Sequence, residues 1–264
     1  MHLEHLKLEK KDGIGILTMN RPEKMNTWST IMRNELREAL PAIDADPDVR
    51  VLIFTGAGDR AFTAGLDLTE KSGGGAMPQE EIRRVNLDPN TSIPMYFYRF
   101  EKPIITAVNG VCVGAGISTL LAGDYTIVSD KARFRIAHRD LGAGILDSIG
   151  WFLPRAIGGH KAFELYATNR LMGAEEAERI GLVDRVVPQD RLMDETMELA
   201  EVFAAGPPLG LKWAKRSIKR SHTHNLEEYL EFERLVYMTT YYSEDSREAR
   251  RAFLEKRPPR FEGR

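Results

Sequence analysis

Residues 101–130 read EKPIITAVNGVCVGAGISTLLAGDYTIVSD, and the order of elements within them decides the fold class. Pro103 opens an apolar run, PIITAV, with the length and β-branched content of a buried strand. Asn109-Gly110 turns the chain. A second short run, VCV, reaches Gly114-Ala115-Gly116, and the apolar residues that follow are spaced as in a helix up to Gly123. TIVS then returns to a strand. Strand, glycine turn, helix and strand in succession is the grammar of an α/β protein.

The alternation extends in both directions. Residues 6–19 alternate around Lys11-Asp12-Gly13 and predict a hairpin. Ser29 suits the N-cap of a helix running to Ile43, with Met32, Leu36, Ala39, Leu40 and Ile43 at helical spacing. Val49 to Gly58 reads as a buried strand ending in a glycine turn. Between Lys71 and Ile93 the pattern fails, and Gly73–Gly75, Pro78 and Pro89 predict a mobile loop. A short strand over Phe134–Ala137, helices at about 158–168 and 174–180, and a strand over Leu182–Val187 follow. Past Asp190 only amphipathic helices are expected, interrupted at AAGPPLG (204–210). The chain thus divides into an α/β core, residues 1–200, and a helical C-terminal region, residues 201–264. No internal sequence repeat is visible.

Composition narrows the function. The 264 residues are 42% hydrophobic, enough for a large core, and 37 basic against 39 acidic residues leave a net charge of −2. That balance argues against nucleic-acid or membrane-surface partners. One cysteine, Cys112, precludes an internal disulfide and fits a reducing compartment. No apolar run approaches a membrane span, and the expected location is cytoplasmic.

Two loops share one logic: Phe62-Thr63-Ala64-Gly65-Leu66-Asp67-Leu68 after the strand VLIFTG, and Gly114-Ala115-Gly116 before a helix. Small residues let backbone N–H groups approach a ligand, and a helix N-terminus favours developing negative charge. Two such groups on one carbonyl would form an oxyanion hole; alternatively, the glycines only permit tight strand–helix packing. Neither Gly114-Ala115-Gly116 nor Gly142-Ala143-Gly144 has the third glycine of a dinucleotide fingerprint, and no Walker, HExxH or zinc-ligand spacing is present.

The segments NRPEKMNTWS, FTGAGDRAFTAGLDL, EKPIITAVNGVCVGAGISTLLAGDY, ARFRIAHRDLGAGILDSIGWFLPRAIG, GAEEAERIGLVDRVV and AFLEKRPPRF together resemble the enoyl-CoA hydratase/isomerase family, the crotonase superfamily. The resemblance spans nearly the whole chain. It implies a crotonase-like superhelix of stacked ββα turns with a helical C-terminal trimerisation region, assembled as a homotrimer or a dimer of trimers. It also implies an acyl-CoA substrate whose thioester enolate is held by the N–H groups of Leu66 and Ala115. No separate cofactor is expected, because coenzyme A enters as part of the substrate. Ala64, Leu66, Asp67, Leu68 and Thr69 would flank the thioester and pantetheine, with Pro22, Lys24 and Met25 beside the CoA loop. Phe253 and Lys256 would reach the CoA of a neighbouring subunit.

Family hydratases use two glutamates. Ser118 stands at one position and His138 at the other, so a standard hydratase site is absent. An imidazole, with an ordinary pKa of about 6.5, accepts a proton at neutral pH. Asp147, nine residues on, is placed to orient it and to stabilise the imidazolium. This implies either non-standard hydration or isomerisation with His138 as base, or hydrolytic C–C cleavage of a β-keto-acyl-CoA or β-diketone by a His138–Asp147 dyad. A non-catalytic acyl-CoA binding protein is the third possibility. Asp140 competes as an acid, and Ser118 reads as a small wall residue or water ligand. Tyr96, Phe97, Tyr98, Phe100, Trp151 and Phe152 are candidates for a bulky acyl pocket. Lys212, Lys215, Arg216, Lys219 and Arg220 form a basic helix face, either solvated or attracting CoA phosphates.

Overall fold

The computed structural model describes residues 2–71, 88 and 90–264. Of the mobile loop expected between Lys71 and Ile93, residues 72–87 and 89, with the Gly73–Gly75 tract, lie outside the described residues. The hairpin forms as expected from β1 (Leu6–Lys11) and β2 (Ile14–Met19), paired antiparallel. Ser29 caps α1 (Thr30–Ala45), its hydroxyl accepting from the Met32 N–H at 3.0 Å.

The core then repeats one pattern three times: a strand in a first sheet, a short strand in a second sheet, and a helix or turn leading back. β3 (Val51–Gly56), β5 (Ile104–Val108) and β7 (Tyr125–Ser129) go to the first sheet. β4 (Ala61–Thr63), β6 (Val111–Val113) and β8 (Arg133–Arg135) go to the second. With β10 (Arg185–Val187) the first sheet has the order β1-β2-β3-β5-β7-β10; with β9 (Met172–Gly173) the second has the order β4-β6-β8-β9. All neighbours are parallel except β1 with β2 and β8 with β9. These are the stacked ββα turns implied by the resemblance, although the sequence itself does not repeat.

Helices follow the second-sheet strands or pack around them: α2 (Leu68–Lys71), α3 (Ile93–Arg99), α4 (Ala115–Ala122), α5 (Ile149–Ile157), α6 (Gly159–Thr168) and α7 (Ala174–Arg179). The C-terminal part is helical: α8 (Leu192–Ala205), α9 (Pro208–Ser221), α10 (Leu226–Tyr241) and α11 (Glu244–Glu255). Of these, α3 and α5 were not anticipated, since Pro94 and Pro154 interrupt their apolar spacing.

A parallel sheet covered on both faces needs apolar residues on both, and β3 supplies them by strict alternation. Leu52 and Phe54 face the core shared with α1 and α4, whereas Val51 and Ile53 face Ile105, Ile127 and the α8 residues Leu192, Ala200 and Ala204. Because α8 carries the second core, the helical region is built onto the sheet from Leu192. No helix among the described residues is long and apolar enough to cross a membrane.

Candidate active site

Parallel pairing brings the candidate residues together. Ala61 pairs with Val111, and Val113 pairs with Arg135, so β4, β6 and β8 end side by side. Leu66, Ala115 and His138 lie three, two and three residues beyond Thr63, Val113 and Arg135, the last residues of those strands. Adjacent strands are about 4.8 Å apart, and ligands of α/β sheets gather at such carboxyl ends.

The Leu66 loop is aimed by a one-residue parallel bridge. Trp28 N–H donates to Gly65 O at 2.8 Å, and Asp67 N–H donates to Trp28 O at 3.1 Å. The bridge turns Leu66's own N–H to the opposite side. Gly65 has φ +91°, and a Cβ there would sit 3.0 Å from Val113 O, so its missing side chain brings this loop against the next. Gly114, at φ +55° and ψ −119°, takes a conformation that only glycine adopts readily and that starts α4. Ala115 itself is the first helical residue and has no positive φ, so alanine is accommodated without strain. Gly116 is needed for a different reason: a Cβ would meet Thr63 Cγ2 at 2.5 Å. Among the described residues neither the Leu66 nor the Ala115 N–H has an acceptor.

Neighbouring residues support this geometry. Met25 O accepts from Ala64 N–H at 3.0 Å, after the turn Pro22–Lys24. Asp67 is anchored by Arg21 Nη1 at 3.1 Å and takes both the N–H and hydroxyl of Thr69; the Thr69 hydroxyl, then Arg21, hold its carboxyl below the ordinary range. It structures the loop. Leu68 and Thr69 are exposed.

His138 begins a short 3-10 turn and is 7% exposed. The strand before it stops at Arg135, not at the predicted Ala137. Ala137 has φ +68°, and its N–H is held by Asn169 Oδ1 at 2.9 Å, which rotates the chain out of the sheet. His138 Nε2 lies 3.4 Å from Asp147 Oδ2, while its Nδ1 is buried with no hydrogen-bond partner. Asp147 and Ser148 are consecutive left-handed residues, φ +53° and +62°. Such non-glycine positions cost of order 1 kcal/mol or more each and concentrate where geometry matters.

Other candidates separate from the site. Asp140 is exposed and paired with Arg135 at 2.5 Å and Arg139 at 3.9 Å. Ser118 is fully buried, and its hydroxyl donates to Ala115 O at 2.6 Å, as a wall residue would. Phe97 and Phe100 belong to the core, Phe97 tilted 4.8 Å from Phe54. Tyr98, Trp151 and Phe152 line a 450 Å³ cavity bordered by Lys215 and Lys219 that does not include Leu66, Ala115 or His138. Most of the basic face is engaged: Lys215 binds Asp124 at 2.6 Å and Lys102 O at 2.8 Å, Lys212 and Arg216 pair with Glu101, and Lys219 donates to Tyr98 O, while Arg220 is exposed. Lys215, Lys212 and Arg216 fasten α9 to the core. Phe253 and Lys256 stand exposed at the end of α11.

Sequence reading missed Arg33. It is 6% exposed, and among the described residues its Nε and Nη1 have no partners. The signal was available: position 33 falls on the stripe of Leu36 and Leu40, where a charge is unexpected.

Stacked ββα turns whose neighbouring strand ends carry two N–H groups and a buried histidine define the class by its fold. Residues 9–264 match the family model described as enoyl-CoA hydratase/isomerase, and the chain belongs to that family. It is 34% identical over 263 residues to the 1,2-epoxyphenylacetyl-CoA isomerase of Escherichia coli (99% of this chain, 100% of the relative). It is 32% identical to the short-chain-enoyl-CoA hydratase of Clostridium acetobutylicum, with 97% of each chain covered. The crystal structure of an enoyl-CoA hydratase from Bacillus anthracis superposes with a TM-score of 0.92 at 30% identity, covering 99% of this chain and all of that one.

Proposed function

We propose that this chain is an acyl-CoA enzyme of the lyase/isomerase type. In this reading the N–H groups of Leu66 and Ala115 hold a thioester enolate, and His138, supported by Asp147, moves the proton. The carrying observation is that three neighbouring strand ends bring two unengaged N–H donors next to one buried imidazole paired with a carboxylate.

With Nε2–H directed at Asp147, Nδ1 is the basic nitrogen. Ser118 spends its hydroxyl on Ala115 O and so does not supply a second acid. One base suits a proton shift. His138 takes a proton from C2 of a 3-enoyl thioester, the electron pair moves onto the thioester oxygen, and the imidazolium returns the proton at C4. The double bond moves to C2–C3, and no water is consumed. Hydration would instead add water oxygen at C3 and a proton at C2. Coenzyme A is part of the substrate: Met25, Ala64, Asp67, Leu68 and Thr69 border the thioester end. Phe253 and Lys256 serve a neighbouring subunit's CoA in a trimer or paired trimers.

The His138–Asp147 pair also favours a second reading, in which His138 activates water for attack on a keto carbon. The C–C bond then breaks, giving a carboxylate and an enolate that is protonated at carbon. Proton release and mass change over 3-enoyl-, 2-enoyl- and β-keto-acyl-CoA separate the outcomes. Isomerisation changes neither quantity, hydration adds water without releasing a proton, and hydrolysis adds water and releases one. Binding of all three without turnover would indicate the non-catalytic protein and overturn the enzyme reading.

A further inference from the structure

Arg33 has no structural return for its burial. A guanidinium keeps its charge at neutral pH, and leaving its donors dry and unbonded is costly. Among the described residues only Nη2 is engaged, with Thr30 Oγ1 at 3.2 Å; Nε and Nη1 are buried without acceptors there. Burial pushes its pKa down, and the carboxylates near enough to oppose this are Glu70 and Asp147. Neither binds it. Glu70 Oε2 takes the N–H and hydroxyl of Thr30 at 2.8 and 3.0 Å, and Asp147 Oδ2 faces His138.

The position of Arg33 indicates what it is for. Helix α1 starts just after Trp28, the residue bridged to Leu66, so Arg33 lies about one turn from the candidate enolate loop. One of the two carboxylates that act on its charge, Asp147, is also the partner of His138. We infer that Arg33 receives an uncharged acceptor oxygen, keto or hydroxyl, carried by the acyl group beyond the thioester carbonyl. Arg33 is then a specificity residue for oxygenated acyl-CoA substrates. Two carboxylates, Glu70 and Asp147, already act on its single charge, which disfavours a further anion there. The inference rests on the acyl-CoA reading.

The test measures dissociation constants for butyryl-, 3-hydroxybutyryl- and succinyl-CoA. It uses His138→Ala protein, to suppress turnover, with and without Arg33→Met. A hydrogen bond to a charged donor predicts a roughly tenfold or greater preference for 3-hydroxybutyryl- over butyryl-CoA. Arg33→Met should erase that preference and leave butyryl-CoA binding within about twofold; Arg33→Lys should retain part of it. Equal ratios with and without Arg33 would overturn the assignment, and a succinyl-CoA preference lost in Arg33→Met would overturn the uncharged oxygen. Failure of all three to bind would overturn the acyl-CoA reading itself. Arg33→Met should also raise the melting temperature; a fall in both Arg33→Met and Arg33→Leu would mark a structural role and overturn the inference.

Discussion

Two regions of this molecule gather charged and polar groups, and they differ in what those groups are doing. In the 450 Å³ cavity under α9 the positive groups are engaged: Lys215 with Asp124 and Lys102 O, Lys219 with Tyr98 O, and Arg155 over the Trp151 ring and donating to its carbonyl. At the ends of β4, β6 and β8 the reverse holds. Among the described residues Leu66 N–H, Ala115 N–H and His138 Nδ1 are unengaged there, as are two nitrogens of Arg33 on α1. The aromatic lining of the cavity, Tyr98, Trp151 and Phe152, would draw attention to the first region. Unengaged donors select the second, because a fold tolerates such groups only where something else completes them.

The comparison can be broken experimentally. His138→Ala should reduce turnover roughly 10²–10⁴-fold while leaving acyl-CoA affinity nearly unchanged, the signature of a lost proton-transfer group. Titration calorimetry alongside steady-state kinetics reads both quantities, and unchanged turnover would eliminate the mechanism. Ala115→Pro removes one donor at the first helical position, where proline is tolerated. It should lower kcat about 10²–10³-fold with the fold retained by circular dichroism.

Lys219→Met addresses the cavity, and turnover should not respond. Burial, reinforced by the charge of Lys215, pushes the Lys219 pKa down to about 7. Between that value and an unfolded value near 10.5, the unfolded chain binds more protons, so stability rises with pH over this interval. The charged lysine costs most at and below pH 7. Lys219→Met should therefore raise the melting temperature there, by a gain that shrinks towards pH 10; a gain independent of pH would contradict this account. Ser118→Ala should have the smallest effect, with kcat within about threefold and stability lower by roughly 1 kcal/mol for the lost Ala115 hydrogen bond. A large kcat loss would restore Ser118 to the chemistry.

Much of this fold was legible because parallel strands buried on both faces are continuous apolar runs, and β3 and β5 are such runs. The glycine loops could be read as donor loops because Gly65 and Gly114 punctuate them. The threefold ββα repetition left no sequence repeat, since its requirements are backbone direction and small residues at contacts, which many residues satisfy. Tyr98 and Trp151 could not be assigned from spacing, because only tertiary packing decides which cavity an aromatic lines. The His138–Asp147 pairing likewise depends on two left-handed residues, Asp147 and Ser148, that no local pattern announced.

The single parallel bridge between Trp28 and Leu66 has a consequence in entropy. A loop that had to order around its ligand would lose about 1–2 kcal/mol per residue in backbone freedom at the moment of binding. Here two hydrogen bonds and the seat of Gly65 on Val113 fix the direction of the Leu66 N–H when the protein folds. That cost is charged to folding, and the ligand meets a donor whose aim no longer has to be acquired.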